Sequence, residues 1–246
     1  MKIGLIMPVA CRQPMQEECW TAAAVNKRPD TPFYVLFNGL DQWCDLPHNV
    51  VSLQEPAEHT DEADLWWRCV TLASDKGWDW VTIIHDDFKI CVPGWEDWIE
   101  NSRGKRVALA AWCAYAAWTI EGNGSFSPHL TPDENGASQI GVVLDSMGWA
   151  IHVPTFMERG CVTEERFGFG FGAWDACGWA LEHGYAIWRI RGESWHHWKP
   201  NQNTRAMMSR GANGHPRIVT KYVGRSLPAS VVNDDTIEVC GKRYSI

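Results

Sequence analysis

The sequence has no run of about 18 apolar residues, so it predicts no membrane-spanning helix. It has no Cys-x-x-C pair, and its nine cysteines, an odd number, suit neither a metal knuckle nor a closed disulfide framework. A reduced, cytoplasmic setting is the expectation, a host's cytoplasm if the chain is virus-encoded. Met1–Val9 carries one Lys and then an apolar run too short for a signal-peptide core, and it reads as a buried first strand. An excess of positive charge is missing too. The formal net charge of −8 disfavours a general nucleic-acid binder. No internal repeat occurs, and no linker is long enough to force a second domain.

What is present fits a globular chain. At 246 residues, with 45% hydrophobic and 21% charged residues, it can bury a substantial core and is not disordered. Sixteen Trp outnumber Phe and Tyr together. Their flat faces stack on sugars or bases, although core filling accounts for most of them. Charge is also unevenly placed. From Arg189 to Arg225 there are eight Lys/Arg and one acid, a strip of +7 on a body of −15. Such a strip either meets anionic ligands such as phosphates or is a solvated face that offsets acidic neighbours.

Periodicity predicts strands at Lys2–Val9, Phe33–Phe37, Val50–Leu53, Trp80–Ile84, Arg106–Trp112, Ile140–Leu144, Trp149–Val153 and Tyr185–Ile190. Helices are expected over Pro14–Asn26, from an Asp61 N-cap to about Lys76, over Trp95–Asn101 and over Trp174–His183. Gly122–Gly136, rich in Gly, Pro, Ser and Asn, reads as a mobile loop, and the segment from Val231 onward as a small meander. Alternating strands and helices imply an α/β fold with a mostly parallel sheet and right-handed crossovers. Ligands of such sheets sit beyond the carboxyl ends of the strands.

Three constellations could do chemistry. His85-Asp86-Asp87 follows the apolar strand WVTII. Adjacent carboxylates repel, so a strand end that carries both suits a divalent cation completed by substrate phosphates; the plain alternative is an acidic turn in solvent. Gly168-Phe-Gly-Phe-Gly-Ala-Trp174-Asp175 opens an apolar helix. Its glycines allow close backbone approach, and Asp175 is either a general base or a helix cap. It is not a dinucleotide fingerprint, because that motif follows a first strand and spaces its third Gly differently. Trp195-His196-His197-Trp198-Lys199 offers one of two neighbouring histidines to a metal or phosphate, or keeps both as structural residues.

Taken in order, IGLIMPVA (3–10), WVTIIHDD (80–87), FGFGFGAWDACGWALEHGY (167–185) and SWHHW (194–198) resemble the pattern of GT-A glycosyltransferases, and family 2 in particular. That resemblance spans roughly residues 3 to 198. It implies a GT-A, Rossmann-like domain over 1–200, with 201–246 a basic extension of short strands within the same domain. It further implies Mn²⁺ or Mg²⁺ held by Asp87, Asp86 and either His196 or His197, with Asp175 as base. His85, Pro8, Lys199 and Arg205 would face the donor, and Trp174, Gly172 and Trp195 the acceptor. Two departures stand out: His85 replaces the usual first Asp, and Trp174 replaces the usual Glu beside the base. Glu164 and Glu165 are therefore reserve bases.

The expected activity is transfer of a sugar from a nucleotide-diphosphate donor to a hydroxyl acceptor, by inversion in preference to retention. The acceptor is a glycan or another hydroxyl compound, or a hydroxymethylated pyrimidine in DNA of the kind modified by virus-encoded enzymes. Two rivals remain: a non-catalytic carbohydrate- or nucleotide-binding module, and a sugar-1-phosphate nucleotidyltransferase. The second normally carries a Gly-rich basic loop after its first strand, where this chain has Met7-Pro8-Val9-Ala10-Cys11-Arg12.

Overall fold

A computed structural model describes residues 1–55, 61–112, 114–120, 126–128, 140–144, 147–164, 171–190, 193–196, 229–233, 236–239 and 242–245. The first half alternates as expected: β1 (Ile3–Val9), α1 (Gln16–Asn26), β2 (Phe33–Asn38), β3 (Val51–Glu55), α2 (Glu62–Asp75) and β4 (Trp80–Ile84). Every residue of β1 and β4 is buried, because a central parallel strand is covered on both faces and has no use for polar alternation. Asp61 caps α2 by accepting from the Ala63 amide at 2.8 Å. Trp66, Cys69, Val70 and Ala73 then bury one stripe of that helix at three- and four-residue spacing.

Next come β5 (Phe88–Ile90), α3 (Trp95–Glu100), β6 (Val107–Ala111), β7 (Ala114–Ile120), β8 (Phe126–Pro128), β9 (Ile140–Leu144), β10 (Gly148–His152), α4 (Val153–Arg159), α5 (Phe171–Glu182), β11 (Ala186–Arg189) and β12 (Ser194–His196). The main sheet has seven strands in the order β11-β6-β10-β4-β1-β2-β3. All described neighbours run parallel except β10, which is antiparallel to both β4 and β6. Thus the mostly parallel α/β expectation holds.

Differences from the sequence reading are local. The strand expected to reach Val153 stops at His152, and the chain turns into α4, with a Pro in its first turn and left-handed Gly160 (φ 84°) at its end. Within the stretch read as a mobile loop, Phe126–Pro128 pairs with β7; 121–125 and 129–136 lie outside the described residues. The terminal meander is present as β13 (Ala229–Asn233), β14 (Thr236–Val239) and β15 (Lys242–Ser245), three antiparallel strands. Most of the basic strip falls outside the described residues.

Tryptophan turns out to be mainly a core residue here. Trp20, Trp66, Trp78, Trp80, Trp95, Trp112, Trp149 and Trp188 are buried, whereas Trp195 is 51% exposed. Among the described residues, no helix is long and apolar enough to cross a membrane.

Candidate functional site

The acid pair lies where the sheet topology puts ligands. β4 ends at Ile84, and the Phe88 amide donates to the His85 carbonyl at 3.0 Å. Asp86 and Asp87 are therefore the two central residues of a tight turn at the carboxyl edge of a central strand. The His85 amide also donates to the Met147 carbonyl at 2.8 Å, which fixes the start of the turn. Its far end is anchored by the buried Phe88 ring, 5.5 Å from the Trp112 ring. Gly148 makes room for that ring: a Cβ there would lie 2.6 Å from it.

Both carboxylates are half-buried. Asp86 accepts from the Gln16 side-chain amide at 2.5 Å. Burial first, and then the neighbouring Asp87 charge, push the Asp86 carboxyl up to about 7. The buried Cys19 thiol is pushed up to about 12, by burial first and then by Asp87 and Asp86, so it stays protonated beside the pair. His85 faces Glu62, in the first turn of α2, with Nε2 3.8 Å from Oε1.

The late histidine motif meets this turn. β12 pairs antiparallel with β5, setting His196 opposite Phe88 and Trp195 opposite Lys89. A residue more than a hundred positions away thereby stands across from the one that follows Asp87. The Cys91 amide continues the ladder to the Glu193 carbonyl at 3.0 Å. His197, Lys199 and Arg205 lie outside the described residues, as does the side chain of His196. Among the described residues, no three His, Cys, Asp or Glu side chains form a metal-binding group. The surroundings of Asp86 nevertheless fit a divalent cation. Two mutually repelling carboxyl groups of a hard-oxygen type are held together at a partly desolvated edge, beside a strand that carries an imidazole.

Three other expected site residues are placed away from solvent. Pro8 is buried inside β1, in register with Leu36. Gly172 is buried because α5 approaches α2 closely: a Cβ there would lie 2.7 Å from the Trp66 ring and 3.1 Å from the Thr163 methyl. Asp175 is fully buried, and its Oδ2 accepts from Arg159 Nη2 at 3.0 Å and from the Glu164 amide at 3.1 Å. The Arg159 side chain is almost as enclosed, donating to the Val162 carbonyl at 2.6 Å and lying over the Trp179 ring at 4.6 Å. So placed, the enclosed, arginine-bound carboxylate ties α5 to the 160–164 turn, the structural role weighed beside that of a base. Glu164, with a side chain 55% exposed, is the carboxylate of this cluster that faces solvent. Trp174 lies in α5; its side chain, like residue Glu165, is outside the described set.

Sequence reasoning missed Gln16, Glu62 and Arg159. Gln16 and Glu62 read as ordinary polar residues of a helical first turn, and Arg159 falls in the unassigned stretch between the Trp149–Val153 strand and the Trp174–His183 helix. Only Arg159 had a signal, since it ends a short amphipathic stretch opened by Pro154 and closed by Gly160.

No protein-family model matches the sequence, and no curated protein matches it. Solved structures do. S. aureus TarS (1–349), in complex with UDP-GlcNAc, aligns over 92% of this chain and 68% of its own, with 11% identity and a TM-score of 0.59. Glucosyl-3-phosphoglycerate synthase from Mycobacterium tuberculosis, in complex with Mn²⁺, UDP-glucose and phosphoglyceric acid, aligns over 100% of this chain and 86% of its own, with 14% identity and a TM-score of 0.53. At these identities the likeness is one of architecture. The seven-stranded sheet, its one antiparallel member and its flanking helices are the GT-A fold of such nucleotide-sugar enzymes.

Proposed function

We propose that this chain is a divalent-cation-dependent glycosyltransferase that moves a sugar from a nucleotide-diphosphate donor to a hydroxyl acceptor. The observation that carries this reading is the pairing of β12 with β5, which brings the His196 strand to the Asp86-Asp87 turn at the sheet's carboxyl edge. Two solved structures of the same architecture hold UDP-sugars, and one of them also holds Mn²⁺, which supports the donor class and the cation.

On this reading Asp87, Asp86 and one of His196 and His197 hold Mn²⁺ or Mg²⁺. When bound, the cation neutralises charge that develops on the departing diphosphate. His85, oriented by Glu62, faces the donor, and Lys199 and Arg205 meet its phosphates. The exposed Trp195 indole offers a stacking face for the acceptor, a role assigned to Trp174 as well. Inversion requires a base for the acceptor hydroxyl. Glu164 or Glu165 takes that role, and Asp175 with Arg159 holds the segment in place. The fold is compatible with glycan acceptors and with hydroxymethylated pyrimidines in DNA.

Donor hydrolysis and transfer, measured with UDP-, GDP- and dTDP-sugars and Mn²⁺, test the proposal. Asp87→Ala is expected to lower turnover at least about 100-fold, as removal of an electrostatic stabiliser does. Undiminished turnover in that variant overturns the assignment. Metal-dependent binding without turnover of any donor favours a non-catalytic binding module.

A further inference from the structure

Gln16 is the first residue of α1 and only 1% exposed. Helical side chains lean toward the N-terminus, so a first-turn side chain reaches back over the loop that precedes it. Here that loop is the exit of β1. One Gln16 amide hydrogen goes to the Cys11 carbonyl at 2.5 Å and the other to Asp86 Oδ2, while Oε1 accepts from the Gln13 amide at 2.9 Å. Both donors and the acceptor of the carboxamide are thus in use. The orientation is fixed by chemistry, since a flipped amide would set its oxygen against two acceptors.

Between Cys11 and Gln13 stands Arg12, whose guanidinium lies 5.0 Å from the centre of the Trp43 ring. Trp43 in turn packs edge-on to Phe37 at the end of β2, with centroids 5.2 Å apart. One buried amide therefore ties the Asp86 turn, at the end of β4, to the Arg12 turn, at the end of β1. Remove it, and Asp86 loses the side-chain donor that holds its Oδ2, while the Arg12 turn keeps the 3.4 Å bond from Gln13 Nε2 to Cys11 Sγ but loses its tie to Asp86.

We propose that Gln16 is a positioning residue: it holds Asp86 Oδ2 so that the carboxylate is oriented for a cation, and it links that orientation to the Arg12 turn. This rests on the reading of Asp86 and Asp87 as cation ligands. The test uses Mn²⁺ alone, with free Mn²⁺ followed by electron paramagnetic resonance and no donor present. Gln16→Met keeps length and helix propensity but removes the amide. Gln16→Asn keeps an amide one methylene short of Asp86 and serves if the first variant does not fold. Each is expected to weaken Mn²⁺ affinity about tenfold or more, the usual consequence of losing a group that orients a metal ligand.

Ala23→Gly, on the same helix but away from the turn, controls for loss of helix stability and is expected to leave Mn²⁺ affinity unchanged. Folded Gln16 variants that bind Mn²⁺ within twofold of wild type overturn the inference while sparing the site. So does an equal loss in Ala23→Gly, which would make Gln16 merely structural. A wild-type protein that binds no Mn²⁺ overturns the cation site and this inference together.

Discussion

Asp86 is the residue at which charge, burial and proposed function meet. Its carboxyl titrates near 7 in the folded chain, against an ordinary value of 3.8. A raised folded value means that the native state holds the extra proton between about pH 4 and pH 7, where the unfolded chain has lost it. The stabilisation is full below that window and is lost as the pH rises through 7. Asp86→Asn, which cannot ionise, should therefore stabilise the metal-free protein at pH 8. We expect about 2 kcal/mol, below the roughly 4 kcal/mol that the shift alone would give, because water screens a half-buried group. The gain should vanish by pH 4, as chemical denaturation at the two pH values would show. A gain of the same size at both pH values would mean that ionisation of the Asp86 carboxyl, opposed first by burial and then by Asp87, is not its source.

This residue was also legible beforehand. Two adjacent acids just past the strand WVTII are chemically conspicuous in any sequence. Gln16 was not, because a polar residue entering a helix has many ordinary reasons to be there. Its role exists only through Asp86, seventy positions away.

At the scale of elements, α4 and α5 are joined by a pair that neither helix reveals alone. Arg159 ends α4, Asp175 lies in α5, and both side chains are almost completely enclosed. Removing one member of a buried ion pair strands the other charge, which typically costs about 3–5 kcal/mol. Arg159→Ala should lower unfolding stability by that amount in urea titrations. A cost under about 1 kcal/mol would mean that Asp175 is solvated in solution and available for proton transfer after all. Long elements with one buried stripe, such as α2, were readable from spacing, and so was Asp61 as its cap. The three-residue strands β5 and β12 were not, since each is too short for a period to register. Phe88 of β5 also packs into the space left by Gly148, a contact between distant segments. The glycines before Asp175 were read as ligand approach, but Gly172 is explained by the passage of α5 over Trp66.

For the whole molecule, the alternation of apolar strands with helices already specified a covered, mostly parallel sheet and the edge at which a ligand should sit. The antiparallel β10 could not be read, because a buried strand is apolar whichever way it runs. Placing the acid pair and the late histidine strand at one edge is a property of the complete topology, and the proposed donor chemistry depends on it.

Calorimetric titration of UDP-, GDP- and dTDP-sugars, with and without Mn²⁺, into wild type and Asp87→Ala addresses that property most directly. At least one donor is expected to bind wild type only, or at least about tenfold more tightly, when Mn²⁺ is present, with that enhancement lost in Asp87→Ala. Donor binding that is indifferent to Mn²⁺, or an enhancement that survives the substitution, would contradict a cation held at the Asp86-Asp87 turn.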